Sequence, residues 1–418
     1  MLPATIEPPF PADAFHINST NAAGCLIYSN TEVYTNQSAT LPSHNTLLDL
    51  VEFRKEKNIT TDDFVIDGIV NFGILVGFDE NINLYGSGGS LMNVVNQTTN
   101  AYGIVVGSIS GTGSSISYTG TMNIDNSVHC NISSSADAYG VYFYSINADS
   151  AQTINGVFTI SSSSNSSNAY ACGVYFNSTA ADSTQTINGV FTISSSNSSN
   201  AYAYGVQFYS TVSGDITVNG VFTISSSSDS SNAFAHGVSF SSIVSGDITV
   251  NGTFTISSYS SNSLNADAYG VYFYSITVNA DSTQTINGVF TISSSGSVHG
   301  VHFQLSASSC DTTINGVFTL SALTVTGVYF LPTMSGKTTI NGVFTISASS
   351  TTTSVYAIGV GFLSTVSGDI TINGVFTISS SSSSSSSASA SGVYFERTPS
   401  GKLSGVPKFC SNKIDSGD

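Results

Sequence analysis

The chain has 418 residues and a formal charge of −17, yet only 8% of its residues are charged. That balance repels phosphate backbones and anionic lipid surfaces, so nucleic acid and acidic membrane are excluded as expected partners. No stretch is apolar enough over a spanning length, so membrane insertion is not expected, and Met1 to Glu7 show neither the basic segment nor the apolar core of a signal peptide.

Residues 1–60 contain no repeated motif and read as an N-terminal segment with a capping helix. The helix is expected over Thr46 to Lys57, with Thr46 and Asp49 as a capping-box variant and Arg54, Lys55 and Lys57 at the negative end of the dipole. Its apolar face is Leu47, Leu50, Val51 and Phe53, which suits a plug for the open core end of a repeat array. Strand-like sequence begins near Phe64-Val65-Ile66, and degenerate units such as Leu91-Met92-Asn93-Val94 precede the regular ones. The repeat body is placed at 61–400, leaving 401–418 as a C-terminal cap or tail.

The regular unit is Thr153-Ile154-Asn155-Gly156-Val157-Phe158-Thr159-Ile160, whose asparagine returns at Asn188, Asn219, Asn251, Asn287, Asn315, Asn341 and Asn373. A mean period of about 31 residues is solenoid spacing. The β-branched and aromatic residues suit a pleated strand, while Asn-Gly is the pair that most easily takes positive φ, so two strands meeting at a corner are expected. A two-residue hairpin is the alternative, but no matched partner strand lies beside the pair. Stacked at strand spacing, the asparagines would bond amide to amide in a ladder.

A second signature, Gly140-Val141-Tyr142-Phe143, alternates with the octet and returns at Gly173, Gly205, Gly237, Gly270, Gly300, Gly327, Gly359 and Gly392. Alternation places Val141 and Phe143 on the core side and Tyr142 outside. The outer position also accepts Gln207, Ser239, His302 and Gly361, a tolerance that reads as exposure. In the octet, eight exposed phenylalanines in a column would aggregate, which assigns Phe158 and Ile160 to the core and Val157 and Thr159 to the surface. A third short strand, as in Asp215-Ile216-Thr217-Val218, feeds the corner. Ser/Asn-rich runs such as Ser161 to Asn168 and Ser379 to Ser387 read as protruding loops. The near identity of 137–163 and 267–295 points to duplicated rungs. The expected fold is all-β: a right-handed parallel β-helix of ten or eleven rungs with a short helical cap.

Little in the chain suits catalysis. Cys25, Cys130, Cys172, Cys310 and Cys410 lack both disulfide-framework and zinc spacing and read as buried thiols. Asp215, Asp247 and Asp369 recur four residues before the corner asparagine and read as solvated turn carboxylates, because the glycine-rich nonapeptide of calcium-binding solenoids is missing. His299 and His302 read as surface histidines. Polysaccharide-active enzymes on β-helices need clustered carboxylates or a basic proton acceptor, and Arg54 and Arg397 stand at opposite ends. The expectation is a protein that is not an enzyme and holds no cofactor or metal.

In its Ser/Thr/Asn/Gly-rich, charge-poor repeats the stretch from about 65 to 395 resembles bacterial surface β-helix proteins, the passenger regions of autotransporter-type adhesins. The resemblance is one of texture and period, and it implies an extracellular or cell-surface, adhesin-like array binding a glycan or a host-surface protein. The candidate binding column is Tyr142, Tyr175, Tyr272, Tyr329 and Tyr394, since tyrosines stack on sugar rings and anchor interfaces. An ice-binding solenoid is the alternative, carried by a hydroxyl column of Thr159, Thr192, Thr223, Thr255, Thr291, Thr319, Thr345 and Thr377, although the neighbouring column is Val except at Thr253. A polysaccharide-active β-helix enzyme is the third reading.

Overall fold

The computed structural model describes residues 10–28, 46–77, 81–87, 89–95, 100–109, 115–119, 121–128, 136–146, 150–165, 168–179, 183–197, 199–261, 265–274, 282–304, 309–351, 353–382, 387–405 and 407–416. Three sheets of 13, 12 and 13 strands run the length of the molecule, and from the third strand onward every third strand in the chain falls in the same sheet. Among the described strand pairs only Leu26–Tyr28 with Thr46–Asp49 is antiparallel. The molecule is thus a parallel β-solenoid, two or three layers longer than ten or eleven rungs. The added layers come from the N-terminal segment, where Phe15–Ile17 pairs with Asp63–Ile66, which pairs in turn with Ile82–Gly86. At strand spacing a thirteen-strand sheet is a rod about 58 Å long.

Equivalent residues of successive octets pair one to one, Val157 with Val190, Phe158 with Phe191, Thr159 with Thr192. Phe158 and Ile160 are buried and Val157 and Thr159 are exposed, as the aggregation argument requires. The stacked strands bring the Phe158 and Phe191 rings to 4.5 Å and within 6° of parallel, and the Phe143 and Phe176 rings to 4.7 Å. Both columns line one continuous apolar core. Each such buried side chain contributes about 1.5–3 kcal/mol, and the core grows by the same set with every turn.

The corner works differently from the Asn-Gly expectation. None of the corner glycines has a positive φ. At Gly156 a Cβ would lie 2.6 Å from the Phe158 ring, so glycine is required because the chain doubles back over its own core phenylalanine. The asparagine side chain projects outward, and Asn188 Nδ2 donates to Asn155 Oδ1 at 2.8 Å. The same bond repeats rung by rung up to Asn373 and Asn341 at 3.0 Å, which is the expected ladder.

The serine runs are only partly loops. Val157–Ser164, Val221–Ser228 and Thr253–Ser260 continue as strand through the first four residues of their runs. Ser162 and Ser164 are buried, and Ser162 Oγ donates to the Ala136 carbonyl at 2.6 Å, a bond that Ser195, Ser226 and Ser258 repeat. Serine suits these inward positions because it is small enough for the narrowing core and supplies a donor to a carbonyl at the turn. Within the polyserine run, 383–386 lie outside the described residues.

The helix is shorter than expected, Leu50–Lys57, because Thr46–Asp49 joins a sheet instead. Asp49 is the N-cap, its carboxylate accepting from the Glu52 N–H at 3.0 Å. Leu50 and Phe53 enter the core, with Phe53 edge-on to Phe15 at 5.7 Å. Beside it Arg54 donates to Asp62 at 2.8 Å. Cys172 and Cys310 are buried thiols, whereas Cys25 is half-buried and donates to Glu56; Cys130 lies outside the described residues.

Candidate functional site

The most chemically distinctive surface is the outer face of the sheet built from the Gly-Val-Tyr-Phe strands. Its geometry starts at the glycine. In the pairing of Ala136–Ile146 with Ala169–Phe176, Tyr139 faces Cys172 and Val141 faces Val174, with Gly140 passed over between them. A Cβ on Gly140 would lie 2.5 Å from the Gly173 carbonyl oxygen and 2.8 Å from Ile160 Cδ1, so the strand bends there against the core. The bend resets the alternation. Ala138, Val141 and Phe143 enter the core, while Tyr139 and Tyr142 both stand on the outer face.

Two aromatic columns therefore run side by side where sequence alternation showed one. The expected column holds Tyr142, Tyr175, Tyr272, Tyr329 and Tyr394; the unexpected one holds Tyr102, Tyr139, Tyr204, His236, Tyr269 and His299. Tyr142 stacks on Tyr175 at 4.9 Å, and Tyr139 meets Tyr142 edge-on at 5.2 Å. Farther along, Tyr269 stacks on His299 at 5.2 Å and packs on Tyr272 at 4.5 Å.

This packing corrects two expectations. Tyr142, Tyr175, Tyr272 and Tyr329 are half-buried, because rung spacing equals ring-stacking distance and each ring covers the next; only Tyr394 of the five is exposed. His299 and His302 are not surface histidines: they are 9% and 6% exposed, each in contact with Tyr329. His236 Nδ1, His299 Nδ1 and both ring nitrogens of His302 have no hydrogen-bond partner. Burial lowers the pKa values of the three imidazoles to about 3, about 4 and about 2 respectively and raises those of the Tyr139, Tyr142 and Tyr175 phenols, so these rings are uncharged near neutral pH. A recurring aromatic three residues before the Tyr142 position, as in Tyr139, Tyr204 and Tyr269, is the signal that would have exposed the second column.

The tyrosine column has a gap. Between Tyr175 and Tyr272 it carries Gln207 and Ser239, and there the face opens into a recess of about 240 Å³ floored by Tyr204 and His236 and walled by Tyr202, Phe234, Tyr272 and Tyr274.

The octet sheet presents the other regular face. The threonine column is in register, and Thr159 through Thr345 are exposed, with Thr377 half-buried. The parallel valine column is about as open, 45% at Val157, but Tyr259 stands proud of the sheet at 58%. The Asp215 and Asp247 carboxylates accept from the N–H of Asp247 and Thr283 one turn on, at 3.0 and 2.7 Å, and so join layers. Among the described residues no group of His, Cys, Asp and Glu is placed to hold a metal.

Comparison of the chain with protein-family models, with curated proteins and with solved structures finds no match.

Proposed function

We propose that the protein is a non-enzymatic, adhesin-like binding protein of the cell surface or extracellular space, and that the outer aromatic face is where it meets a glycan or a host-surface protein. The observation that carries this reading is the run of contacting rings from Tyr102 to Tyr329. Rings held by their neighbours lose little freedom on binding, and uncharged aromatic surface is the kind that anchors sugars and protein partners. The scarcity of charge supports the same reading, since recognition would rest on stacking and shape and would vary little with salt.

The test is a variant with Tyr142, Tyr175, Tyr272, Tyr329 and Tyr394 all replaced by Ser, a change the fold accommodates because Ser239 and Gly361 already occupy that column. Binding of the wild-type chain to host-cell surfaces should be lost in this variant while its β-rich circular dichroism is kept. Unchanged binding removes the aromatic face from the reading. Recovery of the protein from the cytosol of its source cell would count against the proposed location.

Ice binding is the second reading, favoured by the exposed, in-register threonines from Thr159 to Thr345. Val157 and its equivalents and the protruding Tyr259 interrupt the flat hydroxyl lattice that reading needs. Thermal hysteresis at micromolar protein, abolished by Thr255→Lys with Thr291→Lys, would establish it in place of the first.

A further inference from the structure

We propose that the recess in the aromatic face is a binding subsite for one ring of a neutral sugar. This rests on the reading of that face as the binding surface and names what it takes. The recess exists because two consecutive rungs, with Gln207 and Ser239, lack the tyrosine that Tyr175 and Tyr272 supply on either side. At about 240 Å³ it is smaller than the cavities that hold drug-sized ligands and suits a single small ring.

The lining selects the chemistry. The aromatic rings of Tyr204, Phe234 and Tyr272 in the lining suit the C–H faces of a pyranose. Between them lie uncharged polar groups that suit its hydroxyls: Ser239, Ser241, the Gln207 amide and the imidazole of His236. Gln207 is already oriented, its Oε1 accepting from the Tyr170 hydroxyl. His236, 5% exposed, lines the recess, and its buried Nδ1 has no partner within the protein. The lining contains no Lys or Arg, and no Lys or Arg occurs anywhere between Lys57 and Lys337, so an anionic sugar or phosphate would find no countercharge. A quaternary ammonium ion would use the rings but leave the serine, amide and imidazole groups without partners.

The experiment is saturation-transfer NMR on the full chain with glucose, galactose, mannose and N-acetylglucosamine, repeated on Ser239→Tyr and Gln207→Tyr. Both substitutions introduce the residue that neighbouring rungs carry in that column, so they fill the recess and keep the fold. The expected result is millimolar binding of at least one sugar by the wild type, weakened by about tenfold or more in Ser239→Tyr. The proposal is overturned if no neutral sugar gives a signal, if both filled variants bind as well as wild type, or if choline binds in place of the sugars. Should the filled variants keep host-surface binding that the five-tyrosine variant loses, the recess falls and the aromatic face stands. If the five-tyrosine variant also keeps it, the face itself is not the binding surface.

Discussion

At the scale of single residues, one inner column of the solenoid buries glutamines both with and without partners. Gln152 donates to Ser150 Oγ at 2.7 Å, and Gln185 donates to Gln152 Oε1 at 3.2 Å. Gln284 occupies the same column three turns beyond Gln185, fully buried, with neither amide atom partnered. Its register neighbours are Ile248 on one side and Thr312 on the other. Gln284→Ile should therefore stabilise this part of the stack by about 1–2 kcal/mol, the desolvation cost of an unpaired amide recovered by a side chain the column already accepts. Because solenoids open locally, the gain is best read as slower amide exchange at Ile286 and Ile314. Faster exchange there would show that the glutamine is bonded after all.

At the scale of one strand, Ser297–Phe303 shows both what periodicity reveals and what it hides. Of the inward set, Val301 and Phe303 are read from alternation and invariance across turns, whereas Val298 is not. The glycine bend is hidden, because strict alternation assigns position 299 to the core, and only the three-dimensional contact between a glycine and the facing isoleucine or phenylalanine forces the phase to shift. Burial of the outer rings was likewise illegible, since tolerance of substitution looks the same for a solvated position as for one covered by stacking. The consequence is measurable in acid. The unfolded chain titrates its histidines near pH 6.5, whereas burial holds His236, His299 and His302 at about 3, 4 and 2 in the fold. The unfolded state then binds more protons between those values, so stability is complete above about pH 6.5 and is lost as the pH falls toward 4, by up to roughly 1.4 kcal/mol per histidine per pH unit. The groups facing His299 and His302 are Tyr269, Tyr272 and Tyr329, with Asp267 on the adjacent strand held above the usual carboxylate range by burial. Wild type should melt at a lower temperature at pH 5 than at pH 7.5. The double variant His299→Thr, His302→Tyr, which copies Thr326 and Tyr329 of the next turn, should lose less. An equal loss in both proteins would place the acid sensitivity elsewhere.

At the scale of the whole molecule, the hydrogen bonds that join turns all point along the rod: the backbone ladders of three sheets, the asparagine amides and the aspartate links. Tension applied between the helical end and the last strands loads those layers in series, so each bears the full force and the outermost yields first. A turn that peels away exchanges one layer of about 4.8 Å for about 31 residues of free chain, on the order of 100 Å when extended. Since the turns are near copies, they should release at similar forces, and a pulled single molecule should give a sawtooth of evenly spaced steps of that length. One abrupt rupture of the whole rod would contradict this. A chain built in this way acts under tension as a shock absorber, lengthening turn by turn while the turns still stacked keep their aromatic face intact.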